Sequence, residues 1–151
     1  MRKVLIHTHL PDCEADAVFT ALHDFSAYPE YCQSVRAVQV QPLDDHQALS
    51  AWEVNFQNGI LKWQERDRFD PEQRRIQFEQ FEGDIEHFSG CWQVCPKNHG
   101  SLLIFEAQFD LGIPMLADML DPIAQQAIEE NIRSIIHGLF FVRRTEAGRA
   151  P

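Results

Sequence analysis

Positive charge is scarce in this chain. Against 23 aspartates and glutamates stand only 13 lysines and arginines, a formal net charge of -10 over 151 residues. That balance argues against nucleic acid or an anionic membrane as the main partner, because both are held through clustered Lys and Arg. Only the C-terminal end is basic, at Arg143, Arg144 and Arg149, and it is too short to reverse the sign. Long apolar runs are missing as well. None approaches the roughly 20 residues that a membrane-spanning helix needs. The opening MRKVLIHTHL has too short an apolar core for an export signal and no small-residue cleavage site. Cysteine is limited to Cys13, Cys32, Cys91 and Cys95, and without an export signal reduced thiols in a cytoplasm are expected. Cys91 and Cys95 fall in one predicted strand, roughly 13 Å apart, too far to share a metal or a disulfide. No nucleophile elbow, phosphate loop or dinucleotide fingerprint occurs. A Ser- or Cys-nucleophile hydrolase is therefore not expected, nor is a cofactor.

What is present suits one globular domain with a real core over residues 1–143, followed by a flexible tail at 144–151. Residues 2–9 read as a strand. Asp12 is a plausible N-cap for a helix running to His23, with Ala15, Val18, Phe19 and Leu22 as its apolar stripe. The aromatic stretch Phe25–Cys32 is broken at Pro29. Strands follow at about 34–41, 47–57, 60–69, 74–81, 85–95 and 101–110, separated by turn-rich segments, with Asn58-Gly59 as a two-residue hairpin signal. Asp121-Pro122 is a start signal for a long helix ending near Phe141, with Ile128, Ile132, Ile135, Leu139 and Val142 at helical spacing. A curved antiparallel sheet wrapped around one long helix buries one sheet face, and a gap between the two becomes an apolar pocket.

The strand after Gly59 carries the strongest chemical signal. Strand side chains alternate, so Leu61, Trp63, Glu65, Asp67 and Phe69 share one face, while Lys62, Gln64, Arg66 and Arg68 face water. Two acids beside a Trp on the less polar face are odd for a solid core, because a buried carboxylate is costly unless paired or wet. Glu65 and Asp67 stand roughly 7 Å apart at Cα. Two close carboxyls raise each other's pKa, so one can act as acid and the other as base. The alternative pairs both with Arg or His on neighbouring strands. His87 is either a proton shuttle near neutral pH or a surface residue; its strand sets Glu86, Phe88 and Trp92 on one face and His87, Ser89 and Cys91 on the other. His7 and His9 share a face, but no third ligand lies near them, so no metal is expected. Tyr28, Tyr31, Trp52, Phe56, Trp63, Phe78, Phe81, Phe88, Trp92 and Phe105 serve either a core or a cavity wall, and Tyr28 and Tyr31 sit where they can gate an entrance. The apolar segment Leu111–Leu120 either covers the helix N-terminus or forms a lid or docking patch.

The order of elements, with AYPEYCQSV at Ala27–Val35, WQERD at Trp63–Asp67, EGDIEHFSGCW at Glu82–Trp92 and FDLGIPMLADMLDPIAQQAIEENI at Phe109–Ile132, resembles the START-like superfamily (helix-grip, SRPBCC, polyketide cyclase/dehydrase and lipid transport). The resemblance covers nearly the whole chain. It implies an α+β helix-grip fold, a seven-stranded curved antiparallel sheet around a long C-terminal helix, with an internal cavity. In the aromatase/cyclases of this group a carrier-bound poly-β-ketone enters that cavity for aldol cyclisation and dehydration. Trp63 and Asn131 fall where those cyclases carry an inward Trp and an inward helix Asn. Their inward Arg corresponds here to Asp67; a one-residue slip or bulge would be needed to turn Arg68 into the cavity.

These features support a cofactor-independent cyclase/dehydratase. Glu65 and Asp67 would transfer protons, Trp52, Trp63, Phe78 and Trp92 would shape the chain, and Asn131 would bond a carbonyl. An acyl carrier partner would need a local basic patch such as Arg66, Arg68, Arg74 and Arg75. The alternatives are a non-catalytic lipid or quinone carrier of the coenzyme Q-binding type, or a RatA-like protein acting on the ribosome.

Overall fold

The computed structural model describes residues 1–143; the tail expected at 144–151 lies outside the described residues. Strand β1 (Arg2–Pro11) leads to helix α1 (Ala15–His23), a 3-10 turn (Phe25–Ala27) and the one-turn helix α2 (Tyr28–Tyr31). Six strands follow, β2 (Val35–Asp44), β3 (Gln47–Phe56), β4 (Gly59–Asp70), β5 (Arg75–Gly83), β6 (His87–Lys97) and β7 (Gly100–Asp110). A 3-10 turn (Pro114–Leu116) runs into the long helix α3 (Ala117–His137), which continues as a π-helical turn over Gly138–Val142. All seven strands pair antiparallel in the order β1-β7-β6-β5-β4-β3-β2. The sheet is a meander that β1 extends at the β7 edge. This is the α+β helix-grip architecture.

Period-two burial decides which face each strand gives to the core. On β7, Ser101, Leu103, Phe105, Ala107 and Phe109 are buried while alternate residues are not. On β4, Glu65, Asp67 and Phe69 are buried and Gln64, Arg66, Arg68 and Asp70 exposed. Helix α3 lays Ala124, Ala127, Ile128, Ile132, Ile135 and Ile136 on the sheet, a stripe of period 3.6. Helix α1 buries Ala15, Val18, Phe19 and Leu22. Gly138 is fixed by proximity: a Cβ there would stand 2.2 Å from the Tyr31 carbonyl oxygen, so the C-terminal end of the long helix meets α2 backbone to backbone.

Four boundaries differ from the sequence expectation. Asp12 is not the cap of α1: it has φ 61° and its N–H bonds the His99 carbonyl, so β1 runs on to Pro11 and Glu14 takes the cap position. The β3–β4 turn is Gln57-Asn58, not Asn58-Gly59, since Phe56 pairs with Gly59. That register sets Trp52 opposite Trp63, rings stacked with centroids 5.9 Å apart, and long-range packing outweighs local turn preference. Helix α3 begins at Ala117, so Pro122 lies inside it. Its missing N–H would have met the carbonyl of Asp118, which is exposed to solvent on the first turn. Val142 is exposed and falls outside the buried stripe.

Candidate active site

Between α3 and the concave face of the sheet lies a cavity of about 70 Å³. Its walls are aromatic and aliphatic. Trp52 stacks on Trp63, Phe25 and Tyr28 meet Trp52 edge-on, and Trp63 meets Phe88 edge-on, which continues through Phe78 and Phe105 to Trp92. Ile128, Asn131, Ile132 and Ile135 of α3 close the other side. Phe56, Leu61 and Ile85, half-buried beside the β3–β4 and β5–β6 turns, form one end of the lining. Asp84 ties those turns together, accepting the Lys62 N–H at 2.7 Å and donating its own N–H to the Lys62 carbonyl. The cavity is smaller than the roughly 150 Å³ apolar cavities that take a benzene ring. A ring-sized ligand therefore enters only as wall side chains shift.

Two carboxyls occupy this apolar setting. Glu65 is buried in the cavity wall, and Asp67 lies behind it with no exposed surface. The Trp63 indole N–H donates to Glu65 Oε1 at 2.7 Å. Ser50 donates its hydroxyl to Asp67 Oδ2 at 2.5 Å and itself accepts the Trp52 indole N–H at 2.8 Å. Asp67 Oδ1 receives no N–H or O–H from the described residues. Burial lifts the Glu65 carboxyl well above the ordinary carboxylate range, and the hydrogen bond to Asp67 and its charge lift it further, against the pull of the Trp63 N–H. Burial also raises Asp67, which the bonds from Glu65 and Ser50 partly offset. Burial thus favours the protonated form of both carboxyls, more strongly at Glu65 on the cavity wall, and the two titrate as an interacting pair.

The cavity brings together Tyr28, Trp52, Trp63, Glu65, Phe78, Trp92 and Asn131 of the residues expected from sequence. Others lie elsewhere. Arg68 is exposed on the outer face of β4. The register shift opposite Gln64 and Glu65 adds its extra residue, Phe81, to β5 and leaves the parity of β4 unchanged. His87 sits on the outer face of β6, its Nε2 2.9 Å from Ser89 Oγ. Tyr31 is not a wall residue; its ring lies 5.3 Å from the Arg143 guanidinium. Tyr28 is no gate either, being fully buried with its hydroxyl given to the Leu22 carbonyl at 2.7 Å. Arg74 is bound to Asp16 at 2.7 Å and Arg75 donates to Gln93, while Arg66 and Arg68 are exposed on the outer sheet face, in register opposite Glu79 and Gln77. The four arginines therefore form no patch around the cavity. Phe56, Phe88 and Phe105, which the sequence left open between core and wall, also line the cavity, whereas sequence reasoning missed Ser50 and Phe25. Ser50 was detectable in the alternation of Ala48, Ser50, Trp52 and Val54, one small polar residue on an inward face. Among the described residues no three His, Cys, Asp or Glu are grouped as a metal site, and no helix is long and apolar enough to cross a membrane.

The fold has many known relatives at low identity. A structure from Thermus thermophilus matches with a TM-score of 0.87 at 22% identity, over 99% of this chain and 100% of that one. The Zhui aromatase/cyclase of Streptomyces sp. R1128 matches at 0.82 and 19%, over 99% of each chain. A START superfamily protein from Mycobacterium smegmatis matches at 0.75 and 15%, over 91% of this chain and 96% of that one. No curated protein matches the sequence. The model of one family, polyketide cyclase/dehydrase and lipid transport, matches residues 12–136, and the chain belongs to that family.

Proposed function

We propose that the protein binds a polyketide-like or similar apolar molecule in the cavity and promotes aldol cyclisation and dehydration by acid–base catalysis, with Glu65 and Asp67 as the catalytic pair. The observation that carries this reading is the pair of buried carboxyls in an otherwise aromatic wall, with Glu65 favoured in its protonated form by burial. Structure alone does not require such a pair, because hydrophobic residues fill a core at lower cost than two desolvated acids. In the dehydration step, Glu65 gives its proton to the leaving hydroxyl as the C–O bond breaks. The pair then takes the proton from the carbon alpha to the carbonyl as the C=C bond forms, so water leaves and the pair returns to its starting state. Trp52, Trp63, Phe78 and Trp92 shape the chain.

The test uses the benzaldehyde–acetone aldol adduct as a surrogate and follows its dehydration to benzylideneacetone by absorbance. Wild type accelerates the reaction, and Asp67→Asn and Glu65→Gln abolish the acceleration with the fold intact by circular dichroism. Wild-type rates in both variants would end the proposal. An acyl carrier partner is part of this reading only if docking proceeds without the four arginines. The apolar wall favours a second reading, a non-catalytic carrier of lipid or quinone, in which ligand binding survives the double variant Glu65→Gln with Asp67→Asn and no turnover is seen.

A further inference from the structure

We propose that the cavity selects apolar, ring-bearing ligands that carry a hydroxyl donor, a phenol or an enol, and that Asn131 Oδ1 receives that hydrogen. The inference rests on the cavity being the ligand site. Asn131 lies on α3 in the cavity wall, between the apolar side chains of Ile128 and Ile132. Its Nδ2 donates to the Ala127 carbonyl at 3.1 Å. That bond fixes the amide orientation, because the flipped amide would set two oxygens against each other. Oδ1 is consequently an acceptor, it is shut off from solvent, and it has no donor among the described residues. A buried acceptor without a donor costs free energy in the empty protein, and a ligand hydroxyl recovers it.

Most hydrogen donors of the wall are already engaged. Tyr28, Trp52 and Trp63 have already given their hydrogens to Leu22, Ser50 and Glu65. A hydroxyl differs from a carbonyl in that it donates as well as accepts, and only a donor satisfies Asn131 Oδ1. A hydrocarbon, an ether or a quinone leaves Asn131 Oδ1 unanswered. A site built to bond a hydroxyl discriminates against the isostere that lacks it.

The experiment compares p-cresol with p-xylene, which differ by a hydroxyl in place of a methyl group. Titrations at pH 7 are read on the indole N–H resonances of Trp52, Trp63 and Trp92, all three of which line the cavity. In wild type p-cresol binds more tightly than p-xylene, by up to about tenfold, the most that one neutral hydrogen bond gives. In Asn131→Leu the preference disappears or reverses. Equal or tighter binding of p-xylene to wild type would overturn the inference while leaving the cavity as a ligand site, and this comparison needs no variant to fold. Retention of the p-cresol preference in a folded Asn131→Leu would also overturn it. If neither compound shifts any indole resonance, the cavity reading fails and this inference fails with it.

Discussion

Glu65 and Asp67 were visible in the sequence as two acids on the inward parity of one strand beside a Trp. Their partners were not. The bond from Ser50 to Asp67 runs diagonally, since Ser50 stands opposite Glu65 in the β3–β4 register, and the Asn58-Gly59 signal shifted that pairing by two residues. The raised Glu65 pKa gives stability a defined pH dependence. The folded state keeps a proton that the unfolded chain releases above the ordinary carboxylate range. Stability is therefore full below that range and is lost as pH rises through the folded pKa, by up to about 1.4 kcal/mol per pH unit for one proton. Denaturant unfolding across that range should show this decline in wild type and a flatter profile in Glu65→Gln; parallel profiles would contradict it. Ser50→Ala removes the hydroxyl that holds Asp67 Oδ2 and leaves the Trp52 N–H without its acceptor. It should cost about 1–3 kcal/mol and move the pH dependence of surrogate turnover upward, a shift that loss of packing alone would not produce.

At the scale of elements, alternation and helical periodicity located all seven strands and the long helix, because burial on one face leaves a pattern along the chain. It also set Arg66 and Arg68 outward, and the bulge in β5 does not disturb them. Boundaries were less legible. Asp12 and Pro122 are strong local signals that lost to tertiary bonding and packing, Asp12 to the bond with His99 and Pro122 to a helix already started at Ala117. The junction of α2 with the end of the long helix was invisible, since nothing in the sequence says which backbone Gly138 meets. Gly138→Ala forces a Cβ against the Tyr31 carbonyl. It should destabilise the protein by about 1–3 kcal/mol in thermal or denaturant unfolding; an unchanged midpoint would show that the two segments separate freely.

For the whole molecule, the sheet and α3 enclose a cavity whose wall is made of the same residue types as a core, which is why the sequence left core and wall open for Trp52, Phe78 and Trp92. The fold settles that through the gap between helix and sheet. Ile132 closes the gap from the helix side, so Ile132→Ala should lower stability by about 2–5 kcal/mol and strengthen binding of a bicyclic ligand such as naphthalene relative to wild type. Weaker naphthalene binding in the folded variant would contradict a size-limited cavity. Net charge, legible from composition, bears on the partner, and Arg66, Arg68, Arg74 and Arg75 do not gather around the cavity to offset it locally.

The most direct test of the account is the protonation state of Glu65. Infrared difference spectra of wild type against Glu65→Gln at pH 7 should show the carbonyl band of a neutral carboxylic acid that the variant lacks. If the difference contains only ionised carboxylate bands, Glu65 holds no proton and the acid–base centre proposed here does not exist.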